Sequence, residues 1–213
     1  PNSSITLPFV PGSALRGAVA RVLGDPGTDD YKRKEFCDLV LGSKVRYFNA
    51  YPCLNGERAL PIPVSLRLNK DYSSDTETVQ AIDLAGFDGH PSPDMELKEC
   101  WPEEQLKSFG REFVTMTARP VILSSKISAR IHHQRDRQKG RAWKDSFGNT
   151  HGAIFVFESL DAGQSFQGVI QIRDNSEEEL SRTENRIKEL LGDTILVGRS
   201  RRAGYGGMAK IKW

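Results

Sequence analysis

TILVGRSRRAGYGGMAKIKW, residues Thr194 to Trp213, is the stretch from which the fold can be inferred. Its first four residues form an apolar, β-branched run that is typical of a buried strand. The segment from Met208 to Trp213 alternates apolar and basic side chains, as a strand does. Between these two parts lie four glycines and three arginines with no acid. We therefore predict two strands joined by a flexible and strongly basic loop.

The glycines of this loop also fit the dinucleotide-binding pattern G-x-G-x-x-A from Gly204 to Ala209. That pattern needs a helix directly after the glycines, whereas the sequence here continues as a strand. The loop also lacks the G-K-[ST] ending of a P-loop. Glycine N–H groups can bind phosphate oxygens, arginines supply charge, and Tyr205 offers a stacking surface. The loop thus favours a nucleic-acid contact, with a solvated glycine-rich hairpin as the alternative.

Charge is unevenly distributed along the 213 residues, although the net charge is only +2. The segments 119–144 and 198–213 together hold thirteen basic residues and one acid, a net charge of +12. The rest of the chain holds 17 basic and 27 acidic residues, a net charge of −10. Such segregation is expected of a polyanion binder, because neutralised phosphates release condensed counterions. Two solvated basic loops are the plainer interpretation.

The run from Ser128 to Trp143 contains two histidines, four arginines and a tryptophan, a mixture suited to RNA. Adjacent His132 and His133 would point to opposite faces of a strand, so at most one can face a given ligand. Either could act as a general base on a ribose 2′-OH in metal-independent RNA cleavage. The alternative for each is a sheet residue without chemistry. No second Cys or His pair stands at ligand spacing, so we expect no metal, and we expect no cofactor.

A short helix is predicted after Pro11, with Ser13 as its N-cap and Gly24 at its end. Arg16 lies in the first turn, where the helix dipole disfavours a cation unless it reaches an anion. Gly17 inside the helix costs about 1 kcal/mol relative to Ala, which indicates close packing or the close approach of a ligand. The predicted apolar face consists of Leu15, Val19, Val22 and Leu23.

Further along, the sequence predicts several strands and a second helix. Strands are expected over 45–51, 153–160 and 166–173, the last two forming a hairpin, and a turn at Leu54-Asn-Gly-Glu-Arg. Ser176 and Glu179 form a capping box that opens a helix ended by Gly192. The order fits an α+β fold of ferredoxin-like type, β-α-β-β-α-β, with a glycine-rich loop before the last strand. Its first strand is only partly present before Ser13, so we expect the chain to be a fragment.

The amino-acid composition along the chain predicts its division into domains and its cellular location. We predict that residues 1–70 form the first part of a domain, that 71–111 are an acidic insertion or linker, in part disordered, and that 112–213 complete the domain. The three cysteines are widely spaced, which favours reduced thiols in a cytoplasmic protein. The longest apolar runs are too short to cross a bilayer, so no membrane association is expected.

Three segments resemble the RAMP superfamily of CRISPR-associated proteins: PGSALRG from Pro11, FVFESLDAGQSFQGVIQI from Phe155, and the terminal glycine-rich loop. The run IHHQRDRQKGRA, with FNAYP and PIPVSL upstream, looks most like the Csx-type RAMP subunit of type III-D effector complexes. The likeness covers most of the chain outside 71–111.

This resemblance implies a ferredoxin-like RAMP fold that binds CRISPR guide RNA near its repeat-derived 5′ end. It also implies, as partners, other RAMP subunits and the large subunit of a type III antiviral complex. Some relatives cleave RNA with a histidine, which leaves an endoribonuclease using His132 or His133 as the alternative to a non-catalytic subunit. The candidate RNA contacts are Arg16, Arg130, His132, His133, Arg135, Arg137, Arg141, Gly198, Arg199, Ser200, Arg201, Arg202, Gly204, Tyr205, Gly206 and Gly207.

Overall fold

The computed structural model describes residues 5–69, 81–83, 106–110, 112–117, 120–134, 140, 143–144, 146–148, 150–151, 153–198 and 206–213. These ranges contain both helices and several antiparallel strand pairs, which confirms the predicted α+β class. The chain divides into two compact units. One comprises Pro1–Gly56 with Ser125–Trp213, and the other comprises Glu57–Ser124.

All helices of the described residues belong to the first unit. They are α1 (Gly12–Leu23), α2 (Asp30–Phe36), a π-helix (Cys37–Leu41) and α3 (Glu177–Leu191). The strands are β1 (Val45–Tyr47), β2 (Tyr51–Leu54), β3 (Glu57–Pro61), β4 (Leu66–Asn69), β5 (Ala81–Asp83), β6 (Leu106–Ser108), β7 (Phe113–Thr115), β8 (Ile122–Leu123), β9 (Ile127–Gln134), β10 (Trp143–Lys144), β11 (Thr150–His151), β12 (Ala153–Leu160), β13 (Phe166–Gln167), β14 (Ile170–Ile172), β15 (Thr194–Val197) and β16 (Gly207–Lys210).

The core of the first unit lies between the helices and three short strands. Ala18 and Val19 of α1 are buried against apolar side chains of the π-helix, α3, β1 and β15. Ile170 and Ile172 of β14 pack against the same cluster. Since these residues are far apart in sequence, one apolar core holds the helices and the strand pairs β1–β14 and β15–β16 together.

Helix α1 starts differently from the prediction. It begins at Gly12, and Pro11, which has no capping side chain, occupies the N-cap position, so the assignment of Ser13 as N-cap is wrong. The Gly12 N–H donates instead to the side-chain oxygen of Asn49 at 3.0 Å, a tertiary partner that local sequence cannot reveal. The predicted end is confirmed, because Gly24 follows the last helical residue with a φ of 70°.

The apolar face of α1 was also predicted with one error. Val22 is 54% exposed, whereas Ala18 is buried. Val22 lines an open depression of about 300 Å³ together with residues of α2 and α3. The last turn of α1 therefore borders a gap rather than the core.

Helix α3 confirms its predicted boundaries. The Ser176 hydroxyl accepts a hydrogen bond from the Glu179 N–H at 3.3 Å, and Gly192 follows the last turn. Ile187, Leu190 and Leu191 are buried on one face. Strand β15 then occupies the predicted residues, Thr194–Val197.

The predicted hairpin between 153–160 and 166–173 is wrong. The first of these segments, β12, pairs over eight residues with β9, from Ala153 opposite Gln134 to Leu160 opposite Ile127. The second divides into β13, which pairs with β2, and β14, which pairs with β1. Both alternatives satisfy the strand pattern, so the choice of partner depends on long-range packing rather than on the loop between them.

The segment predicted as one strand over 45–51 is interrupted in the same region. β1 ends at Tyr47 and β2 begins at Tyr51, and between them Ala50 forms an isolated bridge with Val10. The predicted turn after Leu54 is confirmed, since Asn55 and Gly56 both have positive φ, 53° and 87°.

In the second unit, β3 pairs with β7, β7 with β8, and β4 with both β5 and β6. Ala59, Phe113 and Thr115 are buried there. The buried Thr115 hydroxyl accepts a hydrogen bond from the Val121 N–H at 2.8 Å. Two of these strands, β5 and β6, lie within the segment 71–111, whose role as an insertion stays a prediction.

Candidate nucleic-acid interface

Two paired strands, β15 and β16, flank the glycine-rich loop. β15 and β16 are antiparallel, with Val197 opposite Gly207. Gly198 and Gly206 flank the loop with φ values of 98° and 84°, in the region that favours glycine. A Cβ added to Gly198 would lie 3.0 Å from the Cα of Gly206, so a larger residue there would require the Gly206 backbone to move slightly. A strand and not a helix follows the glycines, which agrees with the exclusion of a dinucleotide site.

The PGSALRG segment is fixed to FNAYP by backbone and side-chain contacts. Val10 and Ala50 exchange backbone hydrogen bonds of 3.0 and 2.8 Å. A Cβ on Gly12 would fall directly on the carbonyl oxygen of Tyr47, so only glycine fits there. A Cβ on Gly168 would stand 3.3 Å from that of Ala50. Two of the segments behind the family resemblance, PGSALRG and the FQGVIQI part of the second, thus meet at FNAYP.

Tyr47 connects the same region to the π-helix. Its hydroxyl donates to the Leu39 carbonyl at 3.0 Å, within the π-helix, where the helical hydrogen-bond pattern is altered. Burial raises the pKa of the Tyr47 phenol to about 12, and the positive charge of Arg16 opposes that rise. Arg16 therefore lies near enough to Tyr47 for its charge to act on the phenol.

Arg16 and Gly17 both lie on the exposed side of α1. Because the helix begins at Gly12, Arg16 is its fifth residue, and the prediction that it lies in the first turn is wrong. The first turn of this helix has no acidic residue, so the positive end of its dipole has no carboxylate in that turn. Nothing lies within 4 Å of a Cβ added to Gly17. Close packing within the described part of the chain therefore does not explain this glycine, and the close approach of a ligand stays a prediction.

The residues next to Arg16 and next to the start of the glycine-rich loop contact the same hydrophobic core. Leu15 and Val197, the neighbours of Arg16 and Gly198 in sequence, both pack against the core cluster of the first unit. The structure thus anchors the start of α1 and the entry to the loop on the same core.

The second candidate surface is the β9–β12 ribbon. Arg130 and His132 of β9 lie on one face, as alternation along a strand requires, whereas the side chain of His133 lies outside the part of the chain that the structure describes. The side chain of Arg130 is exposed. The half-buried His132 ring contacts Phe157 edge to face, with centroids 5.4 Å apart. This ribbon is tied to the segment before α1, because the Thr6 N–H donates to a Glu158 carboxylate oxygen at 3.1 Å.

Several predicted contacts lie outside the described residues, namely Arg135, Arg137, Arg141, Arg199, Ser200, Arg201, Arg202, Gly204 and Tyr205. Sequence reasoning had assigned no role to Asn49, which fixes the start of α1 from 37 positions away. No local signal marks such a partner. In the part of the chain that the structure covers, no cluster of three His, Cys, Asp or Glu residues is arranged to hold a metal ion.

None of the described helices is both long enough and apolar enough to cross a membrane. The sequence matches no individual curated protein. The family model of the RAMP superfamily matches residues 1–209, which include the basic segment 119–144, most of the segment 198–213 and every candidate RNA contact. The chain therefore belongs to the RAMP superfamily.

Proposed function

We propose that this chain is a guide-RNA-binding subunit of a CRISPR effector complex and holds the RNA backbone with its basic segments. The observation that carries the proposal is the glycine-rich loop, which stands on the paired strands β15 and β16 in a RAMP superfamily chain. Glycine N–H groups in such a loop can bind phosphate oxygens, and three arginines there add charge. Arg16, exposed on α1 just beyond a first turn that lacks acids, supplies a further cation.

The segregation of charge supports the same function. Arg130 and the basic residues that follow it extend the positive segment along β9 and beyond. A net +12 in two segments against −10 elsewhere favours a polyanion at the first and neighbouring subunits at the second.

The proposal extends to the type of complex. The sequence resemblance favours a Csx-type subunit of a type III-D antiviral complex, in the cytoplasm, beside other RAMP subunits and the large subunit. A ferredoxin-like domain completed by residues 112–213 is part of the same proposal. Along the chain α1 is followed by β1, β14, α3 and β16, and β1 pairs with β14. This order supports the ferredoxin-like proposal.

RNA binding by the loop can be tested by changing Arg199, Arg201 and Arg202 to Ala together. Affinity for a fluorescent single-stranded guide RNA should fall, and the slope of log K against log salt should become less negative by about 2, since each phosphate contact contributes about 0.7. Changing Lys32, Lys34 and Arg182 to Ala removes the same charge from α2 and α3 and should leave the slope nearly unchanged. An unaltered affinity and slope in the loop variant would overturn the proposal.

The endoribonuclease alternative concerns His132 and His133. The His132 ring packs edge to face against Phe157, a contact that suits a packing or stacking role. Incubation of the protein with repeat RNA and EDTA distinguishes the two functions. Cleavage that disappears in the His132→Ala or in the His133→Ala variant would make the chain an enzyme, whereas intact RNA, or cleavage unaffected by both changes, supports a binding subunit.

A further inference from the structure

The β1–β14 pair has one face in the core and one face exposed. Side chains alternate between the two faces along each strand. The side chains that turn to the core and the helices belong to Val45, Tyr47, Ile170 and Ile172. The other face, called the outer face here, carries Arg46, Phe48, Val169, Gln171 and Arg173. All five of these residues are exposed.

The register places two apolar side chains of the outer face next to each other. The Phe48 N–H donates to the Val169 carbonyl at 2.9 Å, which sets these two residues opposite each other across the pair. Arg46 stands opposite Gln171, one outward position further along. Outward positions on one strand are about 7 Å apart. Phe48 is 45% exposed and Val169 is 44% exposed, so a flat apolar spot lies beside a guanidinium and an amide.

The charge of this face is positive and uncompensated. β1 and β14 contain no acidic residue. Neither Arg46 nor Arg173 forms an ion pair with the described residues. The acid next to Arg173 in sequence, Asp174, is only 6% exposed at its side chain and is bound to the Lys44 ammonium and the Thr183 hydroxyl. Two guanidinium groups on the outer face therefore remain available to an anion.

This combination fits one kind of ligand better than others. Exposed aromatic rings on a sheet stack against unpaired bases, guanidinium groups bind phosphates, and an amide both donates to and accepts from a base edge. The bases of a duplex are already stacked on both sides. A stable protein interface buries about 800 Å² on each partner, which is far more apolar surface than Phe48 and Val169 provide.

We propose that the outer face of the β1–β14 pair stacks one unpaired base of single-stranded RNA on Phe48. Val169 extends the apolar surface under that base, Arg46 and Arg173 bind the neighbouring phosphates, and Gln171 hydrogen-bonds to a base edge. The site lies outside the glycine-rich loop and the basic segment 119–144. The inference rests on the proposed RNA binding and adds to it a contact with a base rather than with the backbone.

The role of the ring can be tested with the whole chain and a fluorescein-labelled oligouridylate, followed by fluorescence anisotropy. Phe48→Ala should weaken binding at least fivefold, and so should Phe48→Leu, which stays apolar but cannot stack. Phe48→Trp should bind at least as tightly as the parent. The slope of log K against log salt should not change in these variants, because no phosphate contact is lost. Tyr31→Ala removes an aromatic ring that is 79% exposed on α2 and should leave the affinity unchanged.

Two further measurements separate the base from the phosphates. An oligomer of the same length with abasic ribose phosphates should bind the parent and Phe48→Ala equally. Changing Arg46 and Arg173 to Ala together should make the salt slope less negative by about 1.4, since each phosphate contact contributes about 0.7. Changing Lys32 and Lys34 to Ala is the control for net charge. Ultraviolet irradiation of the parent with the oligouridylate should cross-link Phe48 to uridine, as mass spectrometry of the peptides would show.

The outcomes distinguish this inference from the proposed function. Equal binding by the parent and Phe48→Ala, with binding still weakened by the Arg199, Arg201 and Arg202 changes, would overturn the stacking site alone. A parent that binds no RNA would overturn both. Equal losses in Phe48→Ala on the oligouridylate and on the abasic oligomer would exclude stacking.

Two other results would assign the outer face to protein. Self-association of the parent that Phe48→Ala abolishes, with RNA affinity unchanged, would make a second copy the occupant. A large fall in the thermal midpoint of Phe48→Ala, again with RNA affinity unchanged, would show that other residues of the chain cover the ring. Either result would overturn the inference.

Discussion

Asp174 joins the β1–β14 pair to helix α3. Its carboxylate accepts hydrogen bonds from the Lys44 ammonium at 2.8 Å and from the Thr183 hydroxyl at 3.1 Å, and Thr183 is buried on α3. The Asn175 N–H donates to the same carboxylate at 3.1 Å. The Lys44 ammonium is the largest of the effects that lower the pKa of Asp174, from 3.8 to about 2, and Asp174 in turn raises the pKa of Lys44.

These shifts predict how stability depends on pH. A lowered pKa in the folded state stabilises the protein above the ordinary value near 3.8, and this contribution is lost as the pH falls through about 2. Asp174→Asn should therefore have a lower thermal midpoint than the parent at pH 7, with the difference shrinking between pH 4 and pH 2. Thermal unfolding followed by circular dichroism measures both. Asp193→Asn, an exposed carboxylate, is the matched control, and parent and Asp174→Asn curves that coincide at pH 7 would contradict the prediction.

At the scale of single elements, signals contained in a few neighbouring residues predicted the structure well. Ser176 with Glu179 placed the start of α3, and the apolar run from Thr194 placed β15. The Asn55-Gly56 turn follows from the tolerance of these residues for positive φ. Each of these features is determined within about four residues, so distant partners do not decide it.

Features that depend on distant residues were missed. Ser13 has the chemistry of an N-cap, but Asn49 supplies the acceptor instead and the helix begins two residues earlier, at Gly12. Segment 166–173 has a correct strand pattern, yet it pairs with β1 and β2 rather than with β12. For the candidate site, the two strands that flank the glycine-rich loop could be predicted, because the glycines and the strand patterns lie within one short stretch of sequence. The support of α1 by Tyr47 and Ala50 could not be predicted, because it joins segments more than thirty residues apart.

Two glycines of α1 give a matched test of element packing. Gly12→Ala would place a methyl group on the Tyr47 carbonyl oxygen and should lower the free energy of unfolding by at least about 2 kcal/mol. Gly17→Ala meets open space and should raise it by up to about 1 kcal/mol, because Ala has the better helix propensity. Urea unfolding of both variants measures these changes. A destabilised Gly17→Ala variant would show that contacts beyond the described residues restrict that position.

The whole chain is divided electrostatically between two basic segments and an acidic remainder. Both segments contain candidate contacts that flank strands, one beyond β9 and one between β15 and β16. If a single RNA contacts both, their phosphate contacts release counterions into one binding equilibrium, and their contributions to the salt dependence add.

This additivity gives a test for the molecule as a whole. Changing Arg135, Arg137 and Arg141 to Ala should reduce the salt slope by about 2, as should the change of Arg199, Arg201 and Arg202, and all six together by about 4. Fluorescence anisotropy with one single-stranded guide RNA over a series of salt concentrations measures the three slopes. Removing three exposed cations on α2 and α3 provides the control for net charge alone. A six-residue variant no weaker than the loop variant would show that only the loop contacts the RNA. Because bound phosphates rather than net charge set the slope, the measurement separates contact from long-range attraction.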